Sequence, residues 1–377
     1  MKIKVGRISY YDDFHCLCGD CPDNCCHGWS IPLDDEALRR FRAEKGLFGL
    51  RLRLSIRGKE NKVFAPLSLR CPHLGADGLC RLQKKRGEDF LAEVCKEYPR
   101  SRMNYGPVAE FHLDLSCIHA ASLFLQKRSA QEMIVKEAEC SCELYGNNDD
   151  EEYFARLQTL RSGLIASLRE AGHEGKEALD RTLRRLDTGL RRIQDELLIH
   201  GSCSDWELKD EAGDLQLFPL PIRVLNDMMS CCFYEDWLKY STPFLYRLCR
   251  LYYKRFDRLD YRKAAEELQR LFDKHIGEKG VSASVFADHA ASLLYRRFLF
   301  SYEDYSPHLK LSDSVICINL VLLFTLLWAE RYGTPGEPEL AHIISVVERR
   351  IFHNEYARKD LLACLSEESR AERRKNS

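Results

Sequence analysis

The segment CLCGDCPDNCCHGW, residues 16–29, constrains the fold of this chain more than any other part of the sequence. Five of its fourteen residues are cysteine, at positions 16, 18, 21, 25 and 26. Adjacent cysteines do not readily bond to each other, whereas thiols a few residues apart on one loop can converge on a single centre. Thiolates bind zinc, copper(I) and the iron of iron–sulfur clusters. The loop therefore favours metal or cluster ligation over buried structural cysteines or a redox-active dithiol.

The cysteine count does not favour a disulfide scaffold. The chain has 17 cysteines in 377 residues, and eleven of them lie within residues 1–142. The number is odd, and the N-terminal sequence MKIKVGRISYYDDFHC lacks the apolar core of a secretory signal. We therefore expect a cytoplasmic protein with reduced cysteines.

Composition excludes two classes of partner. The 57 basic and 58 acidic residues give a net charge of −1, and the basic residues form no dense block, so no nucleic-acid partner is expected. The most apolar stretch, VICINLVLLFTLLWA at residues 315–329, is shorter than the roughly 20 residues of a membrane span and contains Asn319. It predicts a buried core helix and no membrane association.

The backbone of the cysteine-rich part is predicted to be mixed. KIKVGRISYY alternates weakly and predicts a strand, and LRCPHLGADGLCRL, residues 69–82, predicts a hairpin that brings Cys71 close to Cys80. GEDFLAEVCKEYP predicts a helix that Pro99 ends. We assign residues 1–128 to this cysteine-rich, cluster-binding α+β domain and residues 129–150 to a polar linker.

Residues 151–377 are predicted to form a helical domain. Its clearest signal is a heptad seam, with apolar residues that step by four and three. The seam consists of Leu179, Leu183, Leu186, Leu190, Ile193 and Leu197. The preceding run of leucines, separated from the seam by EAGHEGK, predicts an antiparallel helix pair. The predicted fold class is mainly α, with a small α+β N-terminal part and a multi-helix C-terminal domain.

The cysteine spacing favours an iron–sulfur cluster and keeps zinc as the alternative. Structural zinc sites usually have two short cysteine pairs separated by a dozen or more residues. Here one dense group is followed by the single residues Cys71, Cys80, Cys95 and Cys117, a pattern that suits a loop wrapped around a cluster. The sequence has no Gly-x-Gly-x-x-Gly, P-loop or Cys-x3-Cys-x2-Cys motif.

Three motifs together resemble the flagellin lysine-N-methylase family, within a wider group of cysteine-motif proteins described as zinc- or iron-chelating. They are FHCLCGDCPDNCCHGWSIPLD, CPHLGADGLCRLQKKRG and VCKEYPR, and the resemblance extends from Phe14 to about Cys117. It implies a protein lysine N-methyltransferase that uses S-adenosylmethionine, acts on flagellin and carries an iron–sulfur cluster, expected to be [4Fe–4S].

The resemblance also implies a set of metal ligands. The family's first-motif cysteines correspond to Cys16, Cys21, Cys25 and Cys26, and its later motifs to Cys80 and Cys95. Cys18 is an extra cysteine in the first motif. The participation of Cys18, Cys71 and Cys117 is left open.

Methyl transfer to lysine would require a free amine, although the ordinary pKa of lysine is about 10.4. The site must therefore desolvate the ammonium or supply a base. Tyr98 is a candidate to line the lysine channel, and Arg100 a candidate to pair with the carboxylate of the methyl donor. The alternative interpretation is a helix end packed by Tyr98, with Arg100 in solvent.

Two other functions are compatible with the sequence. A zinc- or iron-binding module without methyl transfer would need only the cysteine-rich third of the chain. An iron–sulfur redox protein is the third hypothesis, although the sequence has no flavin or nicotinamide motif.

Overall fold

The structure, a computed structural model, describes residues 2–27, 30–58, 62–64, 70–105, 108–128, 133–139, 150–233 and 238–376. The chain divides into two units. The first unit contains residues 1–144 together with two short later segments, 236–246 and 344–354. The second contains residues 145–235, 247–343 and 355–377. The domain boundaries drawn from the sequence stay a prediction.

Short strands and helices alternate in the first unit. They are β1 Lys2–Ile8, β2 Ile31–Pro32, α1 Asp35–Ala43, α2 Gly46–Ser55, β3 Ile56–Arg57, β4 Val63–Phe64, α3 Arg81–Arg86, α4 Glu93–Glu97, β5 Arg100–Tyr105, β6 Val108–Leu113, α5 Ile118–Lys127 and β7 Met133–Glu139. The strand predicted near the N-terminus is confirmed as β1.

The larger sheet of this unit has the strand order β5-β6-β1-β7. β5 and β6 pair antiparallel, β1 runs parallel to β6, and β7 is antiparallel to β1. β7 lies inside the range predicted as a linker. The rest of that range, apart from Asp150, lies outside the described residues.

The smaller sheet, of order β2-β4-β3, lies in an apolar cluster that also contains cysteine. Phe41 of α1 stacks on Phe64 of β4 with ring centroids 5.5 Å apart. Cys71 is a buried member of the cluster, and Cys26 and Cys80 pack against it. Part of the cysteine group is therefore anchored directly on a hydrophobic core.

Helices make up the remainder of the described chain. They are α6 Glu151–Glu174, α7 Lys176–His200, α8 Ile222–Cys232, α9 Leu238–Ser241, α10 Pro243–Phe256, α11 Tyr261–His275, α12 Ala283–Arg297, α13 Ser301–Asp304, α14 Pro307–Tyr332, α15 Glu337–Phe352 and α16 Glu355–Asn376. The predicted fold class, mainly α with a small α+β N-terminal part, is confirmed.

The predicted helix pair is also confirmed, as α6 and α7. All six residues of the heptad seam are buried. Gly175 ends α6 and begins α7 with φ of +124°, a backbone conformation that glycine adopts without strain. The apolar face of α7 also packs on α14, so the seam is part of a helical core.

The long apolar helix α14 is a core helix, as predicted. By length and composition it could cross a membrane, but 94% of its most apolar window is buried within the protein. Its polar residue Asn319 accepts a hydrogen bond from Leu220 N at 2.7 Å and donates one to Leu217 O at 2.8 Å. These contacts satisfy the buried amide and explain why a core helix retains an asparagine.

Candidate metal and methyl-transfer site

Five cysteines from three chain segments converge beside the small sheet. The backbone of Cys71 donates to Cys26 O at 2.8 Å, which ties the first motif to the hairpin segment. The Cys26 thiol hydrogen bonds with both Cys25 and Cys71. Cys80 interacts electrostatically with Cys71 and Cys25. Cys95 interacts electrostatically with Cys25, Cys71 and Cys80.

The predicted hairpin is what brings Cys80 to this group. Leu74 and Cys80 form an antiparallel bridge, and Gly75 N donates to Leu79 O at 2.8 Å. Gly78 turns the chain with φ of +76°. The turn is thus confirmed between Leu74 and Cys80, which form a single bridge. Arg81 and Leu82, predicted as part of the hairpin, instead begin α3, and position 69 lies outside the described residues.

Four further described cysteines of the first unit, Cys16, Cys18, Cys21 and Cys117, interact with this group or with one another. Cys16 interacts with Cys18 and Cys25, and Cys18 N lies 3.4 Å from Cys16 Sγ. Cys21 interacts with Cys16 and Cys25, and Cys117 with Cys21 and Cys25. The other five predicted ligands each interact electrostatically with Cys25, and so do Cys71 and Cys117, whereas Cys18 interacts with Cys16. Their role as metal ligands stays a prediction.

The electrostatics of the group suit a bound cation. A hydrogen bond from Cys26 lowers the pKa of Cys25 to about 7. Burial acts in the opposite direction, and the nearby Arg349 guanidinium lowers the pKa further. Burial raises the pKa of Cys21 to about 11 and that of Cys117 to about 12. Several thiolates this close repel one another, and a metal ion or cluster relieves that repulsion.

The donor set fits a soft or borderline metal. Each cysteine that the structure describes is a free thiol. Cysteine thiols gathered from several segments are typical ligands of zinc and of iron–sulfur clusters. The chemistry of these thiols suits either group and does not choose between them.

Arg349, on α15, is a residue of this site that the sequence did not reveal. Its side chain is 3% exposed. It donates to Asp23 Oδ2 at 3.1 Å and to Ser116 O at 2.9 Å, so it joins the first cysteine motif to the segment that precedes α5. Ser345 and Arg349 lie four residues apart on α15 and are both buried. The neighbouring charged residues Glu348 and Arg350 hide this spacing in the sequence, so no clear pattern marked Arg349.

Tyr98 lies at the end of α4 and belongs to a hydrogen-bond network. Its hydroxyl is 2.9 Å from Ser116 Oγ, which donates to Asp114 Oδ1 at 2.8 Å. His353 Nε2 is also 2.8 Å from Ser116 Oγ. Burial raises the pKa of Tyr98 well above its ordinary value, so the phenol keeps its proton. The network therefore begins at a neutral phenol and ends at the Asp114 carboxylate.

Arg100 faces a different set of atoms from Tyr98. It donates to Phe14 O at 2.7 Å, and its guanidinium lies 5.0 Å from the centre of the Phe14 ring. It also lines a cleft of about 730 Å³ between α4 and the sheet strands β5 and β6. We call this the α4–β5 cleft, and its polar lining includes Asp34, Glu93, Glu97, Arg100 and Arg102.

Comparison with curated proteins finds partial, distant similarity. A flagellar biosynthetic protein, FliU, of Salmonella muenchen is 28% identical over 145 residues, which cover 36% of this chain and 86% of that protein. Proteins named lysine-N-methylase in Salmonella choleraesuis and Salmonella typhimurium are each 28% identical over 143 residues. Those matches span 36% of this chain and 36% of each relative.

The remaining comparisons add no further relative. No family model matches the chain, and no solved structure is significantly similar to it. The chain is thus loosely similar to lysine-N-methylases and to a flagellar biosynthetic protein.

Proposed function

We propose that this protein is an S-adenosylmethionine-dependent protein lysine N-methyltransferase that acts on flagellin in the cytoplasm and carries a cysteine-bound metal centre. The observation that carries the proposal is the arrangement around residues 95–100. Within six residues, Cys95 faces the cysteine group, Tyr98 the hydrogen-bond network, and Arg100 the α4–β5 cleft. The similarity to proteins named lysine-N-methylase supports the same function.

The reaction needs a route for one proton. The lysine amine attacks the methyl carbon of the donor, the carbon–sulfur bond breaks, and the thioether leaves with the bonding electrons. The amine must lose its extra proton before attack. The network supplies a path for it: Tyr98 O–H donates to Ser116, and Ser116 O–H donates to Asp114. Asp114 is the final acceptor in this scheme.

The metal centre would hold the site together. An iron–sulfur cluster is proposed, bound by cysteines drawn from Cys16, Cys21, Cys25, Cys26, Cys80 and Cys95, with zinc as the alternative. Bound to these thiolates, it would neutralise their charge and fix the segments that carry Asp23, Cys95 and Tyr98. In this proposal the chain's own residues carry the chemistry: Arg100 binds the donor carboxylate, and Tyr98 accepts the proton of the substrate lysine.

The decisive experiment combines metal analysis with methyl transfer. Protein purified without oxygen is assayed for iron, sulfide and zinc, then incubated with flagellin and methyl-labelled donor. We expect labelled flagellin lysine, and about four irons and four sulfides per chain. Folded, metal-replete protein that transfers no methyl group would contradict the methyltransferase and leave the metal-binding module.

A variant series tests the proton route. Tyr98→Phe and Asp114→Asn should each lower kcat by about a hundredfold, because general acid–base catalysis typically contributes that much or more. Metal content should stay unchanged in both variants, and the loss in Asp114→Asn should shrink at high pH, where more lysine is free amine. A loss that is the same at every pH would assign these residues a structural role.

A further inference from the structure

The α4–β5 cleft carries an excess of negative charge. Three carboxylates line it, from Asp34, Glu93 and Glu97, with two guanidiniums, from Arg100 and Arg102. Three negative and two positive groups sum to −1. Ser101 and mostly apolar or aromatic side chains form the rest of the wall, and the volume of about 730 Å³ lies within the range of small-molecule sites. The cleft thus suits a mixed ligand with separate charges and a net positive charge.

The charged groups of the cleft differ in how many contacts they make with the rest of the protein. Asp34 accepts the backbone N–H of Ala37 at 2.7 Å and of Glu93 at 2.8 Å, so its carboxylate fixes the start of α1 and of α4. By contrast, the carboxylates of Glu93 and Glu97 form no ion pair with any residue the structure describes. These two are placed to meet a cation.

Arg100 is fixed by its contacts but still has N–H groups that can bind an anion. One of its nitrogens donates to Phe14 O, and the guanidinium lies near the rings of Phe14 and Tyr11, at 5.0 and 5.9 Å. Within the described part of the chain, it has no carboxylate partner. A guanidinium fixed by stacking, with donors to spare, is well suited to bind a ligand carboxylate.

We propose that the α4–β5 cleft is the binding site for the methyl donor and that it selects the charged sulfonium form over the thioether product. The inference rests on the proposed function and adds to it the location and selectivity of the donor site. S-adenosylmethionine has one carboxylate, one ammonium and one sulfonium, a net charge of +1. Its demethylated product has lost the sulfonium charge and is neutral overall.

The charges of the donor complement those of Arg100, Glu93 and Glu97 in the cleft. In this proposal its carboxylate pairs with Arg100, its ammonium faces Glu93 and its sulfonium faces Glu97. When the methyl group leaves, the sulfonium becomes a neutral thioether and one attraction is lost. The product is therefore held less tightly than the donor, which favours its release after each transfer.

Equilibrium dialysis of the full, metal-loaded chain tests this site with two probes, labelled S-adenosylmethionine and S-adenosylhomocysteine. We expect the wild-type protein to bind the first about tenfold more tightly, the effect of one charge-assisted contact. Glu97→Gln should weaken binding of the donor alone and so reduce this ratio toward one. Arg100→Gln should weaken both probes by about tenfold, because both keep the carboxylate.

Matched controls come from the same unit. Glu88→Gln and Arg39→Gln remove the same charges from exposed positions outside the cleft, and neither should change either dissociation constant. Arg100 also bonds to Phe14 O, so circular dichroism and metal content are measured on each variant. Glu97→Gln, at an exposed position, tests the site even where Arg100→Gln is unstable.

The outcomes separate this inference from the proposed function. Donor binding and selectivity that are unchanged in Glu97→Gln would overturn the inference, and if that variant still methylates flagellin, the proposed function stands. A wild-type chain that binds the donor with the expected selectivity, lost in Glu97→Gln, supports the inference even if no flagellin is methylated. In that case only the proposed reaction fails.

Discussion

Cys25 and Cys26 are neighbours in the chain, yet their thiols have different surroundings. The Cys26 thiol hydrogen bonds with Cys25 and Cys71 and packs on the apolar cluster. Cys25 lies between the two groups of cysteines and is the one that interacts with the Arg349 guanidinium. Replacing either residue removes a central donor, whereas replacing a peripheral cysteine leaves most of the group intact.

Cys25→Ser and Cys26→Ser are each expected to abolish metal loading. A serine hydroxyl is a much poorer ligand for zinc or iron than a thiolate. Iron, sulfide and zinc are measured on the anaerobically purified variants. Cys364→Ser is the matched control, because Cys364 lies on α16 next to Cys231, in the other unit. Full metal content in Cys25→Ser would show that Cys25 is not a ligand.

Arg349 and Asp23 form a largely buried ion pair in the first unit. Arg349→Gln should lower the free energy of unfolding by about 3–5 kcal/mol, because it leaves the Asp23 charge buried without its partner. Urea unfolding followed by fluorescence measures the change. Arg331→Gln, at an exposed position of α14, should change stability by no more than about 0.5 kcal/mol. Equal effects of the two substitutions would refute a special role for Arg349.

At the scale of elements, α6 shows how close approach depends on glycine. Gly172 lies against α12, where an added Cβ would be 2.4 Å from Ala287 Cβ and 3.1 Å from Ser284 Cα. Gly163 is nine residues earlier on the same helix, and a Cβ there would meet open space. A side chain therefore has room at position 163 of α6 and would clash with α12 at position 172.

Alanine at these two positions should change stability in opposite directions. Gly172→Ala is expected to destabilise the protein by about 1–3 kcal/mol, since α6 and α12 must move apart. Gly163→Ala should stabilise it by up to about 1 kcal/mol through helix propensity alone. Thermal unfolding of both variants measures the difference. If Gly172→Ala is neutral, the contact of α6 with α12 is looser than the structure indicates.

At the scale of the whole molecule, the metal centre should stabilise one unit selectively. Its candidate ligands come from residues 16–26, 80 and 95, so ligation would join segments that share few other covalent or hydrogen-bonded links. Binding energy at such a site is folding energy. The heptad seam of α7 has no cysteine and depends on apolar burial.

Removal of the metal is therefore expected to raise hydrogen exchange in residues 16–27 and 70–98 while α7 keeps its protection. Exchange measured by mass spectrometry, on metal-loaded and metal-free protein, checks this. Uniform loss of protection across the chain would mean that the centre supports global folding.

Local patterns made most of the fold predictable. The heptad seam from Leu179 to Leu197 predicted α7, and the glycines of the hairpin predicted the turn that delivers Cys80. These signals span a few turns of chain, and sequence reasoning detects such short periods.

Contacts between distant parts of the sequence were not predictable in this way. The pairing of Arg349 with Asp23 joins residues 326 positions apart, and no periodic signal links them. β7 has only a short, charged sequence, and its pairing with β1 makes it a strand. For Tyr98, the sequence suggested a candidate, while Ser116 and Asp114 as its partners emerge only from the fold.

The late position of Arg349 also has a consequence for the order of events during synthesis. At roughly 5–20 residues per second, the ribosome needs roughly 16–65 s to pass from Asp23 to Arg349. During that interval the nascent chain already presents the cysteine loop, while Asp23 and the carbonyl of Ser116 still lack their cation. A metal bound by these cysteines would therefore be able to enter before Arg349, the residue that pairs with Asp23, has been made.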